Sequence, residues 1–372
     1  MGSSFTKKRC LFIIPRMGNG GAERVMSTLA NELSSENNEV LILSLTTSDS
    51  FYKLNEKVKM VGANYIISRD SKILRRIDML VNGIKGIFFV RSLVKEWKPD
   101  IVISFLTHTN ILSIITKFSY KNMKLIVSER CDPLERSLTL RLLTKYLYPF
   151  ADGIVCQSKV VAEFFPQTAQ KNIKIIQNPI NYESVSNKEF SIKRKVIVGV
   201  GRLFEQKNFE LLIDSFNDIK DDFPLHKLEI YGEGHLRNQL ESQIERLDLC
   251  NRVFLRGVIN NVMKHVSDSE LFVLSSNFEG FPNALIEAMA SGLPVISTDF
   301  STGVARDLIK ENNGIIVPVG DQESLTKAMR TILSSEELQK KMSIENRCLN
   351  NTLSVKLILD KWIELFVDVI SK

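Results

Sequence analysis

The sequence has no apolar run approaching the roughly eighteen residues that a membrane-crossing helix needs, so no integral membrane protein is expected. It is poor in cysteine: Cys10, Cys131, Cys156, Cys250 and Cys348 are odd in number, widely scattered and nowhere form Cys-x-x-Cys. That excludes a zinc-ribbon pattern and argues against a disulfide framework, leaving a reducing, cytoplasmic setting as the expectation. The basic Lys7, Lys8 and Arg9 precede only the short "LFIIP", which is too brief for a signal-peptide core. The opening "MGSS" fits a myristoylation pattern and an affinity-tag remnant equally. Two further absences bear on chemistry. No Asp-x-Asp occurs, so a metal-clamped diphosphate loses support, and no Gly-x-Gly-x-x-Gly follows any strand-like run, which disfavours a dinucleotide site.

What is present is a soluble composition, 44% hydrophobic and 25% charged, in a chain of 372 residues. That length exceeds what one hydrophobic core usually organises, so two domains are expected. Strand-like runs alternate with helical patterns: "RCLFIIP", "EVLILSL", "PDIVISF", "KLIVSE", "DGIVCQS" and "IKIIQNP" come first. The polar stretch "QNPINYESVSNKEFSIKRK" interrupts the series, and "KVIVGVGRL", "HKLEIYGEG", "RVFLRG", "ELFVLSS", "LPVIS" and "GIIVPV" resume it. Alternation of this kind implies βαβ units and parallel sheets. The fold class is therefore α/β, with a first doubly wound domain over 1–178, a linker over 179–194 and a second domain over 195–352. The apolar-sided helix over 353–372 is expected to pack back on the first domain. Ligands of such sheets bind at the carboxyl ends of the strands.

The net charge of +6 is unevenly spread. Residues 1–185 hold 26 Lys and Arg against 16 Asp and Glu, a net of +10, and the remainder holds 23 against 27, a net of −4. Much of the excess lies over 69–98, where Arg69, Lys72, Arg75, Arg76, Lys85, Arg91, Lys95 and Lys98 accompany Leu74, Ile77, Leu80, Val81 and Ile84 at helical spacing. A basic amphipathic helix suits an anionic membrane surface or a phosphorylated acceptor, and an ordinary solvated face is the alternative. No nucleic-acid partner is expected.

Three glycine-bearing turns follow strands. "MGNGGAERV" puts Gly20 and Gly21 at a helix start, where amides could meet an anion. "GVGRLFEQKN" puts Arg202 and Lys207 beyond a strand end, placed to flank a diphosphate. "YGEGHLRN" offers the backbone over 232–234 to a flat ring. Last comes "EGFPNALIEAMASGLPVIS": Glu279 on a loop, a helix starting near Asn283, and Glu287 one turn inside it. The amides of Asn283, Ala284 and Leu285 would form a positive end for phosphate oxygens. The two carboxylates could each accept a pair of hydroxyl bonds from sugars on either side of that phosphate. Each feature also has an ordinary explanation, as a tight turn, a solvated cation or a helix-start acid.

Taken together, "GGAE", "GRLFEQKN" and "EGFPNALIEAMASGLPVI", in this order over nearly the whole chain, resemble the retaining glycosyltransferases of family 4. The resemblance implies the GT-B fold, two Rossmann-like domains facing a central cleft, and transfer of a sugar from a nucleotide-sugar, a UDP-sugar foremost, to a glycan or polyprenyl-diphosphate-linked acceptor. It implies no cofactor and no metal. Arg202 and Lys207 are similar to the pair that binds the donor diphosphate, Glu279 to the carboxylate facing the donor sugar, and Glu287 to the one gripping the ribose. Gly201, Glu233, Gly257, Val258, Gly280, Phe281 and Pro282 would complete the donor side, with Asn283, Ala284 and Leu285. Gly20 and Gly21 would close over the phosphate, His108 in "SFLTHTN" would lie near the transferred sugar, and Glu129 and Arg130 in "SERCDP" would line the acceptor side. The implied setting is cell-surface polysaccharide assembly, in the cytoplasm and peripheral on the membrane. A nucleotide-sugar-binding scaffold of the same fold, without turnover, is the other reading kept.

Overall fold

The computed structural model describes residues 5–65, 72–180 and 194–372, without the side chains of 72–77, 79 and 80. The "MGSS" opening, most of the expected linker and Arg69 therefore lie outside the described residues, as do the side chains of Lys72, Arg75 and Arg76, the next cations of the basic segment. The chain divides into two compact units, one formed by Met1–Asn178 with Val355–Lys372 and the other by Pro179–Ser354.

The first unit is built on a seven-stranded parallel sheet: β1 Arg9–Ile14, β2 Glu39–Ser44, β3 Val58–Gly62, β4 Ile101–Phe105, β5 Leu125–Ser128, β6 Gly153–Cys156 and β7 Ile173–Ile175, in the order β3-β2-β1-β4-β5-β6-β7. The inner strands are near-continuous apolar runs because helices cover both faces, and β4, β5 and β6 are buried at every residue. The sequence reading missed β3. It is an edge strand, paired with β2 alone, and "VKMVG" carries neither a long apolar run nor a clean alternation.

The helix Val355–Ser371 belongs to this unit although the chain reaches it last. Trp362 is fully buried and stacks on Phe105 at 5.9 Å, while Phe366 meets Phe5 at 5.4 Å. The hydrogen-only face of Gly153 in β6 leaves room for Leu365 and Val369. Truncating an aromatic so enclosed costs about 3–5 kcal/mol, enough to hold a C-terminal helix against a domain otherwise made by the first half of the chain.

The second unit has a six-stranded parallel sheet: β8 Arg194–Val200, β9 Lys227–Tyr231, β10 Val253–Gly257, β11 Ser269–Leu274, β12 Val295–Thr298 and β13 Ile315–Val317, in the order β10-β9-β8-β11-β12-β13. Its core joins Leu212, Ile213 and Phe216 of the helix Phe209–Asn217 to Leu325, Met329 and Ile332 of the helix Gln322–Leu333. In each sheet the strand order reverses once, between β1 and β4 in the first and between β8 and β11 in the second. The loops leaving those strands diverge and open a crevice at the carboxyl edge.

Candidate active site

In the second unit the reversal point brings together the loops after β8 and β11. Lys207 Nζ lies 2.5 Å from Glu279 Oε1, both side chains largely withdrawn from solvent. Ser276 Oγ donates to the same oxygen at 2.7 Å, and Gln206 Nε2 reaches Glu279 Oε2 at 3.3 Å and the Phe278 carbonyl at 3.1 Å. Gln206 turns its own oxygen to Arg202, whose Nη2 donates at 3.3 Å while the guanidinium lies over Phe204. Hydrogen bonds to backbone carbonyls lock the two loops: Asn277 N to Gln206 O, Asn277 Nδ2 to Glu205 O and Ser275 Oγ to Lys207 O, each at 2.8 Å. Asn208 ends the first loop in the left-handed conformation that asparagine tolerates, and its side chain caps the helix Phe209–Asn217 at Leu211 N.

Arg202 is exposed, Lys207 is half-buried and Glu279 is 5% exposed. The cations thus differ in kind: one is committed to a buried carboxylate and one faces outward. Glu287, for which an exposed helix position was the ordinary alternative, is buried inside the helix Asn283–Ala290. Phe281 and Pro282 are buried at the start of that helix. One expectation needs correction. The Asn283 amide is not available to a phosphate, because the Phe281-Pro282 turn folds it back onto Phe281 O at 3.0 Å, leaving Ala284 and Leu285 as the first-turn donors of the expected three.

The glycines of the neighbouring loops make close backbone approach possible. Gly201 N bonds Tyr231 O, and Gly232 N bonds Gly257 O at 2.8 Å. Gly232 has φ +147°, and a β-carbon there would lie 1.8 Å from Gly201 O; one on Gly234 would lie 2.2 Å from Leu203 O. These glycines pack one loop on another, a role that the flat-ring reading did not foresee. Glu233 is exposed and paired with Arg237 at 2.7 Å; Gly257 takes φ +73° at the end of β10, and Val258 is exposed beyond it.

In the first unit the reversal point gathers Gly20, Gly21 and His108. Gly20 precedes the helix Gly21–Ser35, and Tyr52 Oη donates to its carbonyl at 3.2 Å. His108 is the second residue of the helix Thr107–Ser119. That helix follows β4 with one residue between, Leu106, at φ +75°, a conformation that costs about 1–3 kcal/mol for a residue with a side chain. His108 stands below its ordinary imidazole value, first through loss of solvent and then through the Arg136 charge.

Beneath the turn, Glu129 is buried. It accepts from Thr107 Oγ1 at 3.0 and 3.2 Å, from Tyr148 Oη at 2.7 Å and from the Arg130 and Cys131 amides. Burial pushes its carboxyl up against the opposing pull of those bonds and of Arg136. Arg130 is also enclosed, its guanidinium 4.4 Å above the Phe105 ring and bonded to Asn178. Both residues expected at the acceptor side are thus committed to bonds inside the unit. Sequence reasoning passed over Ser276, which bonds Glu279 three residues on, and Gln206, Thr107 and Tyr148, whose importance comes from partners far away in the chain. Only Gln206, inside the "GRLFEQKN" motif, carried any signal.

Two parallel-sheet domains, each with its candidate residues at the strand-order reversal, make up the GT-B architecture. Residues 19–184 match the family model Glycosyltransferase Family 4 and residues 183–347 match Glycosyl transferases group 1. A Campylobacter jejuni relative, GalNAc-alpha-(1->4)-GalNAc-alpha-(1->3)-diNAcBac-PP-undecaprenol alpha-1,4-N-acetyl-D-galactosaminyltransferase, is 30% identical over 96% of this chain and 98% of its own. A second, the N-acetylgalactosamine-N,N'-diacetylbacillosaminyl-diphospho-undecaprenol 4-alpha-N-acetylgalactosaminyltransferase of the same organism, is 31% identical over 87% of this chain and 90% of its own. Among solved structures, Anabaena HepE in complex with UDP superposes with a TM-score of 0.78 at 18% identity, covering 96% of this chain and 99% of that one. The chain belongs to the glycosyltransferases that pair a family 4 domain with a group 1 domain.

Proposed function

We propose that this glycosyltransferase moves a sugar from a UDP-sugar to a glycan carried on polyprenyl diphosphate, with retention at the anomeric carbon, without a metal ion, and at the cytoplasmic face of an anionic membrane. The observation that carries the reading is the cluster of Arg202, Gln206, Lys207 and Glu279 beside the start of the helix Asn283–Ala290. When the bond from the anomeric carbon to the diphosphate breaks, the electron pair leaves with the phosphate oxygen. Fixed cations and first-turn amides stabilise that charge, and in mutational series one such donor is worth about 2.7–4 kcal/mol. Arg202 and Lys207 supply the charges, and the amides of Ala284 and Leu285 supply the dipole end.

Glu279 serves as a positioning carboxylate for the donor sugar. Its oxygens already hold Lys207, Ser276 and Gln206, which lowers their nucleophilicity and favours direct entry of the acceptor hydroxyl beside the departing phosphate. The hydroxyl oxygen bonds to the anomeric carbon, and its proton passes to the leaving phosphate oxygen. Glu287 holds the ribose, and Gly201, Gly232, Glu233, Gly257, Val258, Gly280, Phe281 and Pro282 form the donor surround. Gly20 and Gly21 serve the donor phosphate, and His108 serves the transferred sugar. Support for the acceptor class comes from the names of the two Campylobacter relatives, which act on undecaprenol-linked diphosphate sugars, and support for UDP from the HepE complex. The α products named for those relatives agree with retention, since common UDP-hexosamines carry the sugar in α linkage.

The test is release of nucleotide from a panel of UDP- and GDP-sugars, with a polyprenyl-diphosphate-linked acceptor and with chelator, followed by assignment of the product's anomeric configuration by NMR. UDP release with an α product, unaffected by chelator, is expected. A β product, dependence on a divalent ion, or no release from any donor removes the corresponding part of the reading.

A further inference from the structure

The helix Leu138–Leu147 turns Leu147 toward the core but leaves much of its apolar surface in solvent. Its sequestered side includes Thr144, whereas Leu138 and Tyr146 are 74% and 73% exposed and Leu142 is 54% exposed. The three residues stand four apart and share one face. The apolar surface continues to Phe150, just past the helix, whose ring meets Phe118 of the adjacent helix Thr107–Ser119 edge-on at 5.0 Å. Both rings remain about half exposed. Scattered exposed leucines need no explanation, but a contiguous stripe of this kind marks an interaction surface.

Cations rim the stripe. Lys145 is exposed on the same helix, its ammonium 4.8 Å from the centre of the Phe164 ring, and the exposed Lys121 follows Phe118 by three residues, while the half-buried Arg136 precedes the helix cap and the half-buried Arg141 lies in the first turn. Arg141 is steadied by the carbonyls of Leu134 and Arg136. Lys117 is not counted, because it is paired with Asp152. The acidic member of this rim is Glu135. A second copy of the chain seated here would oppose these cations with themselves, which is unfavourable, whereas apolar side chains ringed by Lys and Arg match the boundary between headgroups and acyl chains of an anionic bilayer.

We propose that the face formed by Leu138, Leu142, Tyr146, Phe150 and Phe118 inserts into the headgroup region of an anionic membrane, with Lys121, Arg141 and Lys145 on lipid phosphates. The surface is distinct from the basic helix Lys72–Trp97 that the sequence singled out. It rests on and refines the membrane setting of the proposed function by naming residues, and its Phe118 belongs to the same helix, Thr107–Ser119, that carries His108.

The test is flotation of the full chain with phosphatidylglycerol–phosphatidylcholine vesicles, with neither donor nor acceptor present, so that its outcome is separate from whether the enzyme turns over. Binding that weakens with salt is expected, with a loss of at least about tenfold in Leu138→Ser/Leu142→Ser/Tyr146→Ser and a smaller loss in Lys121→Glu/Lys145→Glu. Tyr146→Trp guards against misfolding of the triple variant: its added fluorescence should shift to the blue and be quenched by brominated lipid. Wild-type flotation by the triple variant, or no quenching of the new tryptophan, overturns the proposal. So does a concentration-dependent dimer in sedimentation that the triple variant abolishes, because the occupant would then be a second copy.

Discussion

Lys207 and Glu279 meet at 2.5 Å across 72 positions of sequence, one from the loop after each of the two strands that flank the reversal of the second sheet. Neither is well solvated, so each is the other's principal compensation. Breaking such a pair from one side leaves a buried charge and typically costs 3–5 kcal/mol. Lys207→Ala should therefore lower stability by about 3 kcal/mol in urea titrations as well as turnover. Adding Glu279→Gln should return much of the stability and none of the activity. A double variant as unstable as the single would show that an unpaired Glu279 charge is not the source of the loss.

Arg202 should behave differently because it is exposed, its guanidinium lying over Phe204 and donating to the neutral Gln206 amide rather than to a buried carboxylate. Arg202→Ala is expected to leave the unfolding midpoint nearly unchanged while lowering turnover by about a hundredfold or more. Equal losses of stability and rate would move it from chemistry to scaffold.

Gly232→Ala probes the loop packing. The added methyl would fall within 1.8 Å of a backbone oxygen of Gly201, so a backbone and not a flexible side-chain tip would have to yield. A displacement near 1 Å close to reacting groups costs about a hundredfold. Titration calorimetry should record weaker UDP binding together with lower turnover, and unchanged affinity would mean that this turn lies away from the nucleotide.

The alternation of strands and helices was legible because parallel strands buried on both faces must be apolar throughout, a pattern that "LFII" and "IVISF" carry in plain form. The same rule hides β3, which has one neighbour and a half-exposed surface. The site was legible where one short segment holds several of its parts, as in "GRLFEQKN" and "EGFPNALIE". It was illegible where function depends on distant partners. Nothing local in "YLYPF" announces that Tyr148 will donate to Glu129, or that Thr107 will hold that carboxylate from a third segment. The Asn283 amide was misjudged for a related reason, since a proline-bearing turn can fold an amide inward without any change in the residues that suggest a helix start.

Glu270 gives a pH signature separate from catalysis. Burial would raise its carboxyl, but the hydrogen bonds from His226 at 2.9 Å and Gln339 at 3.0 Å, the His226 charge and Lys195 at 3.2 Å outweigh it and bring it down to about 2. A folded value below the unfolded 4.5 adds stability that is present above about 4.5 and lost as pH falls toward 2. Melting temperatures of Glu270→Gln should lie below wild type at pH 6 and converge with it toward pH 2. Parallel curves would show that this carboxylate is not linked to folding.

His108 offers the corresponding test on rate. Loss of solvent and the Arg136 charge both favour the neutral imidazole, so the charged form appears only below the ordinary value of 6.5. If the neutral ring contacts the transferred sugar, turnover should hold through neutral pH and fall on an acid limb beneath that value. Arg136→Gln removes a positive neighbour, raises the imidazole value and should move the limb to higher pH, while His108→Gln should abolish the limb at a reduced plateau rate. The profile of kcat/KM against pH measures both. A limb that stays in place in Arg136→Gln and persists in His108→Gln would assign the titration to another group and take His108 out of the reaction.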